Sequence, residues 1–167
     1  MIENCDPIIY EGIGLAFCKP EGWELDDAAW RLGGGEVNLI KTYDQVEASI
    51  SQGVALRIRT VQQNYVGNPL KAIKNQLDVD RGLDPQAIAE STTISGLPAT
   101  RFRFTQSTGK RIGHIQRIWV RLSDRARLEV IVFSNLESDA RLPFQEAADQ
   151  FLRTITLDPI KLHELSI

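Results

Sequence analysis

Between Ala99 and Phe133 the chain offers three consecutive stretches in which residue character alternates with a period of two. "ATRFRFT" sets Phe102 and Phe104 against Arg101 and Arg103. "IGHIQRIWVRL" sets Ile118, Val120 and Leu122 against Arg117, Trp119 and Arg121. "RLEVIVF" puts Arg127, Glu129, Ile131 and Phe133 on one face. That period belongs to a strand with two unlike faces. The linkers "QSTGKR" and "SDRA" leave room only for hairpins, so the three segments form an antiparallel meander.

The remaining elements fall around this meander. "GIGLAFCKP" is a strand that ends at the turn Pro20-Glu21-Gly22, and Trp23 opens a short extended piece. Gly33, Gly34 and Gly35 cost too much backbone entropy for regular structure and predict a flexible loop, followed by a strand over 36–42. Residues 54–61 alternate as a further strand. In "GNPLKAIKNQLDVDRG", Asn68 is an N-cap, Pro69 takes the first helical position, and Gly82 is the expected stop. The stripe Leu70, Ile73, Leu77 predicts its buried face. A strand over 89–94 and a turn at Ser95–Pro98 lead into the meander. A second helix, in "SDARLPFQEAADQFLRTI", carries Phe144, Ala147, Ala148 and Phe151 on its apolar stripe, with Leu152 and Ile155 extending it. The expected fold class is α+β, an antiparallel β-sheet flanked by helices, in a single domain over 1–167 with the tail 158–167 peripheral.

Composition excludes some function classes. The net charge is -3, which sets a general nucleic-acid binder aside, and no run of apolar residues is long enough to span a membrane. Cys5 and Cys18 belong to no CxxC pair and read as two reduced thiols, with a Cys5–Cys18 disulfide left open. With so few cysteines and histidines, no metal and no cofactor are expected. "MIENCDPIIYEGIGLAFCKP" lacks the basic and apolar regions of a signal peptide, so the expected location is cytoplasmic.

"YEGIGLAFCKPEGWEL", with Tyr10, Gly14, Pro20, Gly22 and Trp23, resembles the opening of the PsbP-like superfamily. "ISGLPATRFRFT" is similar to that superfamily's mid-chain step at Gly96, Pro98 and Ala99. "LEVIVFSNLESDARLPFQEAADQFLRTITL" is similar to its closing strand, acidic linker and helix. The resemblance implies an antiparallel sheet sandwiched by helices (a PsbP-like α/β/α sandwich) and a non-catalytic, partner-binding role. The secretion chaperones of the superfamily imply an alternative, a cytosolic chaperone for secreted effector segments.

Most candidate motifs have plain structural explanations. "STGK" at Ser107–Lys110 lacks the upstream glycine and the following hydroxyl of a phosphate loop, and reads as a hairpin turn. "GGGE" at Gly33–Glu36 reads as a surface loop, and Asp26, Asp27, Asp78 and Asp80 as solvated carboxylates. An enzyme acting on a small anionic substrate would need a pocket around His114 with a carboxylate nearby.

The arginines are the strongest signal. From Ala99 to Arg127 the segment carries +7, so the rest of the chain carries -10. Arginine suits bidentate contacts with carboxylates. Either these arginines meet acids of the same chain, such as Glu47 or Glu129, or they face an anionic partner. A suitable hairpin register would gather Arg101, Arg103, Arg117 and Arg121 around Trp119. That patch is the expected surface of a non-catalytic adaptor for a protein partner with an acidic face. Nucleic acid is not the expected partner of an acidic chain without a recognised motif.

Overall fold

A computed structural model of the chain describes residues 6–10, 14–26, 36–42 and 51–161. The Gly33–Gly35 loop, Cys5, Asp27, Glu47 and His163 lie outside these residues.

The described strands form two antiparallel sheets. The larger has the order β3-β4-β5-β9-β8-β7-β6, and the smaller β1-β2-β10. The strands are β1 (Asp6–Tyr10), β2 (Leu15–Lys19), β3 (Trp23–Asp26), β4 (Glu36–Thr42) and β5 (Ser51–Thr60). β6 (Ile88–Ile94), β7 (Leu97–Thr108), β8 (Arg111–Arg121), β9 (Ala126–Ser134) and β10 (Thr156–Leu157) complete them. The helices are α1 (Pro69–Leu83) and α2 (Ser138–Thr154), which pack on opposite faces of the larger sheet.

Local chemistry sets the turns. Ser95 and Gly96, both at positive φ, close the β6–β7 hairpin between the partners Ile94 and Leu97. Gly109 (φ 67) turns β7 into β8, so "STGK" is a hairpin corner. Gly22 (φ 79) follows Glu21 in the turn closed by Trp23 N–H on Pro20 O.

The main core lies under α2. Phe144, Ala148, Phe151 and Leu152 pack on Ile118, Val120, Leu128 and Val130 of the sheet. Leu15 and Phe17 of β2 join them, with Phe17 edge-on to Phe151 at 5.3 Å and Trp23 stacked on Phe144 at 5.7 Å. Each such large side chain contributes about 1.5–3 kcal/mol on burial. The stripe expected for this helix is the one it buries.

α1 behaves differently. Asn68 caps it, its Oδ1 accepting from Lys71 N–H at 3.2 Å. Gly82 does not stop it; the helix runs on to Leu83, and Asp84 N–H closes the last turn on Asp80 O. The expected stripe is kept at Ile73, which packs against Ala72 and Trp119, and at the half-buried Leu77, but not at Leu70. Leu70 is 77% exposed, while Ala72 and Asp80 are buried. Residues 72, 76 and 80 repeat at i, i+4, i+8, so the inward face adds Ala72, Gln76 and Asp80 to Ile73 and Leu77. A carboxylate points inward because the sheet beneath it offers a guanidinium.

The small sheet was not anticipated. Cys18 N–H donates to Thr154 Oγ1 at 3.0 Å, tying β2 to the end of α2. Cys18 is disulfide-bonded, against the expectation of reduced thiols. The start of the C-terminal tail docks here, with Asp158 N–H donating to Gly14 O at 2.7 Å.

Candidate functional site

The β7–β8 register decides where the arginines go. Phe102 pairs with Arg117, and Arg101 with Ile118. Residues directly opposed across an antiparallel pair share a face. Arg101 and Arg103 therefore lie on the α2 face with Ile118, whereas Arg117, Trp119 and Arg121 lie on the α1 face with Phe102. The single patch expected from the sequence does not form. A shift of one residue in register is enough to separate its halves, because side-chain direction has period two.

Three of the four patch arginines meet acids of the same chain. Arg117 Nη1 lies 2.9 Å from Asp80 Oδ2, with side-chain exposures of 16% and 2%. Arg121 pairs with Asp124 in the β8–β9 turn, and Arg103 Nε lies 3.5 Å from Glu90 Oε1. Arg101 keeps a buried Nε without a hydrogen-bond partner. Asp80, read as solvated from the sequence, is the buried anchor of α1, and it also accepts from Gln76 Nε2 at 3.0 Å.

Trp119 is buried between α1 and the sheet. Its ring meets Phe102 edge-on at 4.7 Å, and its Nε1–H donates to Glu129 Oε2 at 3.0 Å. The Arg127 guanidinium lies 3.6 Å from the Trp119 ring centroid. Glu129, 5% exposed, also meets Arg59 Nε at 3.4 Å. Arg59, Arg127 and Arg121 are register partners across β5, β9 and β8. Three cations in one row repel one another. The pKa of Arg127 is lowered from the ordinary arginine value, first by burial, then by Arg59 and Arg117, with Glu129 opposing. Among the described residues Arg127 has no close ion pair, and its buried Nε has no hydrogen-bond partner.

A groove of about 260 Å³ opens beside this stack. Tyr65, Pro69, Leu70 and Ile73 line it from α1 and the turn before it, and Trp119, Arg121 and Arg127 from the sheet. Its lining is mostly apolar, with the guanidinium groups supplied by the β8–β9 hairpin. It brings together two of the five expected contact residues, Trp119 and Arg121. The sequence had placed Arg127 and Glu129 on one strand face, but gave no means of bringing them to Trp119 or of placing α1 as the wall.

The opposite face carries a second cleft, of about 500 Å³, containing Arg103 and His114. Asp84 and Asp149 are in its wall, so the pocket with carboxylates that an enzyme would need around His114 is present. The chemistry of His114 is constrained, however. Arg141 Nη1 lies 2.7 Å from its Nε2, which must accept, leaving the ring proton on Nδ1. Burial, then the charge of Arg141, lowers the pKa of His114 below the ordinary histidine value. Asp84 is held below the usual carboxylate range by the N–H groups of Gln86 and Thr105 and by the Thr105 hydroxyl. A base whose basic nitrogen is already occupied is poorly placed to take a proton from substrate. No group of His, Cys, Asp and Glu side chains among the described residues is placed to hold a metal ion. No described helix is long and apolar enough to cross a membrane.

The fold, an antiparallel sheet with helices on both faces, is similar to that of solved structures that include a cyanobacterial PsbP. Three solved structures carry the likeness. LpqN of Mycobacterium tuberculosis, involved in cell envelope biogenesis, is 12% identical with a TM-score of 0.63 over 93% of this chain and 91% of its own. Cyanobacterial PsbP from Synechocystis sp. PCC 6803 is 11% identical with a TM-score of 0.59, over 95% of each chain. The Ran-binding protein MOG1P of Saccharomyces cerevisiae is 13% identical with a TM-score of 0.51, over 97% of this chain and 90% of its own. At such identities the likeness is one of fold. No protein-family model matches the chain. No curated protein matches it in sequence.

Proposed function

We propose that the chain is a single-domain, non-catalytic adaptor whose groove over Trp119 takes a segment of a protein partner that presents an acidic side chain beside an apolar one. The observation that carries this reading is Arg127, stacked on Trp119 with no ion pair among the described residues, at the edge of an apolar groove. An arriving carboxylate would relieve the repulsion among Arg59, Arg127 and Arg121, and an apolar neighbour would fill the space beside Leu70 and Ile73. That the similarly folded MOG1P is a Ran-binding protein supports a protein-binding reading. The expected contact surface is thereby redrawn: Trp119 and Arg121 stay in it, Arg117 supports it from below, and Arg101 and Arg103 leave it.

The test is fluorescence polarisation with labelled peptides that pair aspartate or glutamate with leucine or phenylalanine, against the same peptides carrying lysine in place of the acid. Saturable binding of the acidic set alone, lost in a folded Leu70→Lys variant, supports the reading. Equal binding of both sets, or none, contradicts it.

A second reading, a chaperone for apolar effector segments, draws on Leu70, Val79 and Leu83, which α1 leaves 77%, 57% and 53% exposed. It predicts apolar-dye binding by the native chain and indifference to Arg121→Glu. Both readings place the module in the cytoplasm, and the disulfide at Cys18 opposes that location, because cytosolic thiols are kept reduced.

A further inference from the structure

The cleft on the α2 face is built for a different ligand from the groove. Its floor is a polar row across three neighbouring strands: Thr105, His114 and Ser134 are successive register partners on β7, β8 and β9. Gln116 lies two residues along from His114 on the same face, and α2 contributes Gln145 and Asp149 to the wall. The side chains of Gln116, Gln145 and Asp149 make no hydrogen bond with any described residue. The buried Ser134 Oγ accepts from Leu136 N–H, which leaves its hydroxyl proton free to donate. His114 accepts on Nε2 from Arg141, which leaves Nδ1–H as a donor.

Charge narrows the ligand class. Two carboxylates, Asp84 and Asp149, share the lining with one guanidinium, Arg103, which Glu90 already engages. With Glu90 and Arg141 counted, three carboxylates face two guanidinium groups, which disfavours an anion and leaves Asp149 to accept from a neutral donor. The rest of the lining is neutral, half of it hydrogen-bonding side chains and half apolar ones such as Phe104, Val132 and Phe144. The floor is a pleated sheet face, whose main-chain groups are engaged in the ladder, so a peptide backbone finds no row of main-chain partners in it. The volume falls within the range of small-molecule sites.

We propose that this cleft binds a neutral saccharide unit, whose hydroxyls donate and accept alternately and so match amides, a hydroxyl, an imidazole N–H and carboxylates together. The site is separate from the groove over Trp119, and the proposal stands or falls independently of the partner reading.

The experiment is a titration of the isotope-labelled full chain with glucose, N-acetylglucosamine, maltose and, separately, inorganic phosphate, followed by amide chemical shifts. The expected result is saturable movement of Thr105, Gln116 and Ser134 with at least one sugar. Affinity should fall roughly tenfold in the Gln116→Ala/Gln145→Ala variant, the effect of losing two hydrogen bonds. Those glutamine side chains hold no described part of the fold, so the variant's dispersed spectrum should be retained. No saturable shift with any sugar, movement confined to residues outside the cleft, or phosphate moving these amides in place of sugar would overturn the proposal.

Discussion

Arg117 holds Asp80 through one guanidinium nitrogen, Nη1, at 3.1 Å from Oδ1 and 2.9 Å from Oδ2. The pair joins the last turns of α1 to the middle of β8, and the guanidinium carbon also lies 5.5 Å and 5.1 Å from the ring centroids of Phe102 and Phe104. A cation in that position serves the fold.

Removing one member of the pair leaves the other buried and uncompensated. Asp80→Ala should cost about 3–5 kcal/mol, read as a lowered urea midpoint. The double variant Asp80→Leu/Arg117→Met should cost less than Asp80→Ala, because apolar replacement of both members leaves no stranded charge. Arg117→Glu, which would be harmless in an exposed patch, puts two carboxylates into one buried contact and should unfold the chain.

Stability should fall on acidification in two windows. The pKa of His114 is lowered in the fold, so between its ordinary value of 6.5 and the lowered one the unfolded chain binds more protons. Its stabilising share is present above that value and is lost as pH falls through the window. Asp84 adds a second loss below its ordinary value of 3.8, since its pKa is also lowered. Urea midpoints measured between neutral and mildly acidic pH should show the first slope in the native chain and a shallower one in His114→Gln.

The disulfide at Cys18 makes a chemical prediction. The chain contains two cysteines, so thiol titration of the unfolded, unreduced protein should find no free thiol, and two after reduction. Reduction should destabilise the fold by about 2–5 kcal/mol. Two free thiols in protein purified without oxidation would instead restore the sequence expectation of reduced cysteines.

Gly14 accounts for one glycine of the superfamily-like opening. It sits at φ +80, and a Cβ there would lie 2.8 Å from Asp158 Cβ and 2.9 Å from Lys161 Cβ. Gly14→Ala should cost about 2–4 kcal/mol through left-handed strain and overpacking, seen as a lowered melting temperature.

The sheet and α2 were legible because their signals are local. Period-two alternation, short turns and the Phe144–Phe151 stripe each act within a few residues. On α1 the cap and most of the stripe were legible, but Asp80 was misread because its partner Arg117 is 37 residues away. No hydropathy pattern marks a buried carboxylate as buried. The arginine patch failed for a related reason: alternation gave each strand its two faces correctly, but the register between β7 and β8, fixed by the Gly109 turn, decided which faces coincide. The groove needed that register and the position of α1 together, so Trp119 and Arg121 were found while Arg127 above them was not singled out.

The central claim is that the groove over Trp119 receives an acidic-apolar segment. The most direct measurement is the indole N–H resonance of Trp119 during titration with the best acidic-apolar peptide, beside that of Trp23, which is buried against Phe144 in the other core. The account predicts a saturable shift of Trp119 while Trp23 stays still, and no shift in either when the peptide acid is replaced by lysine. A peptide that binds while Trp119 stays still, or that moves Trp23 instead, would contradict it.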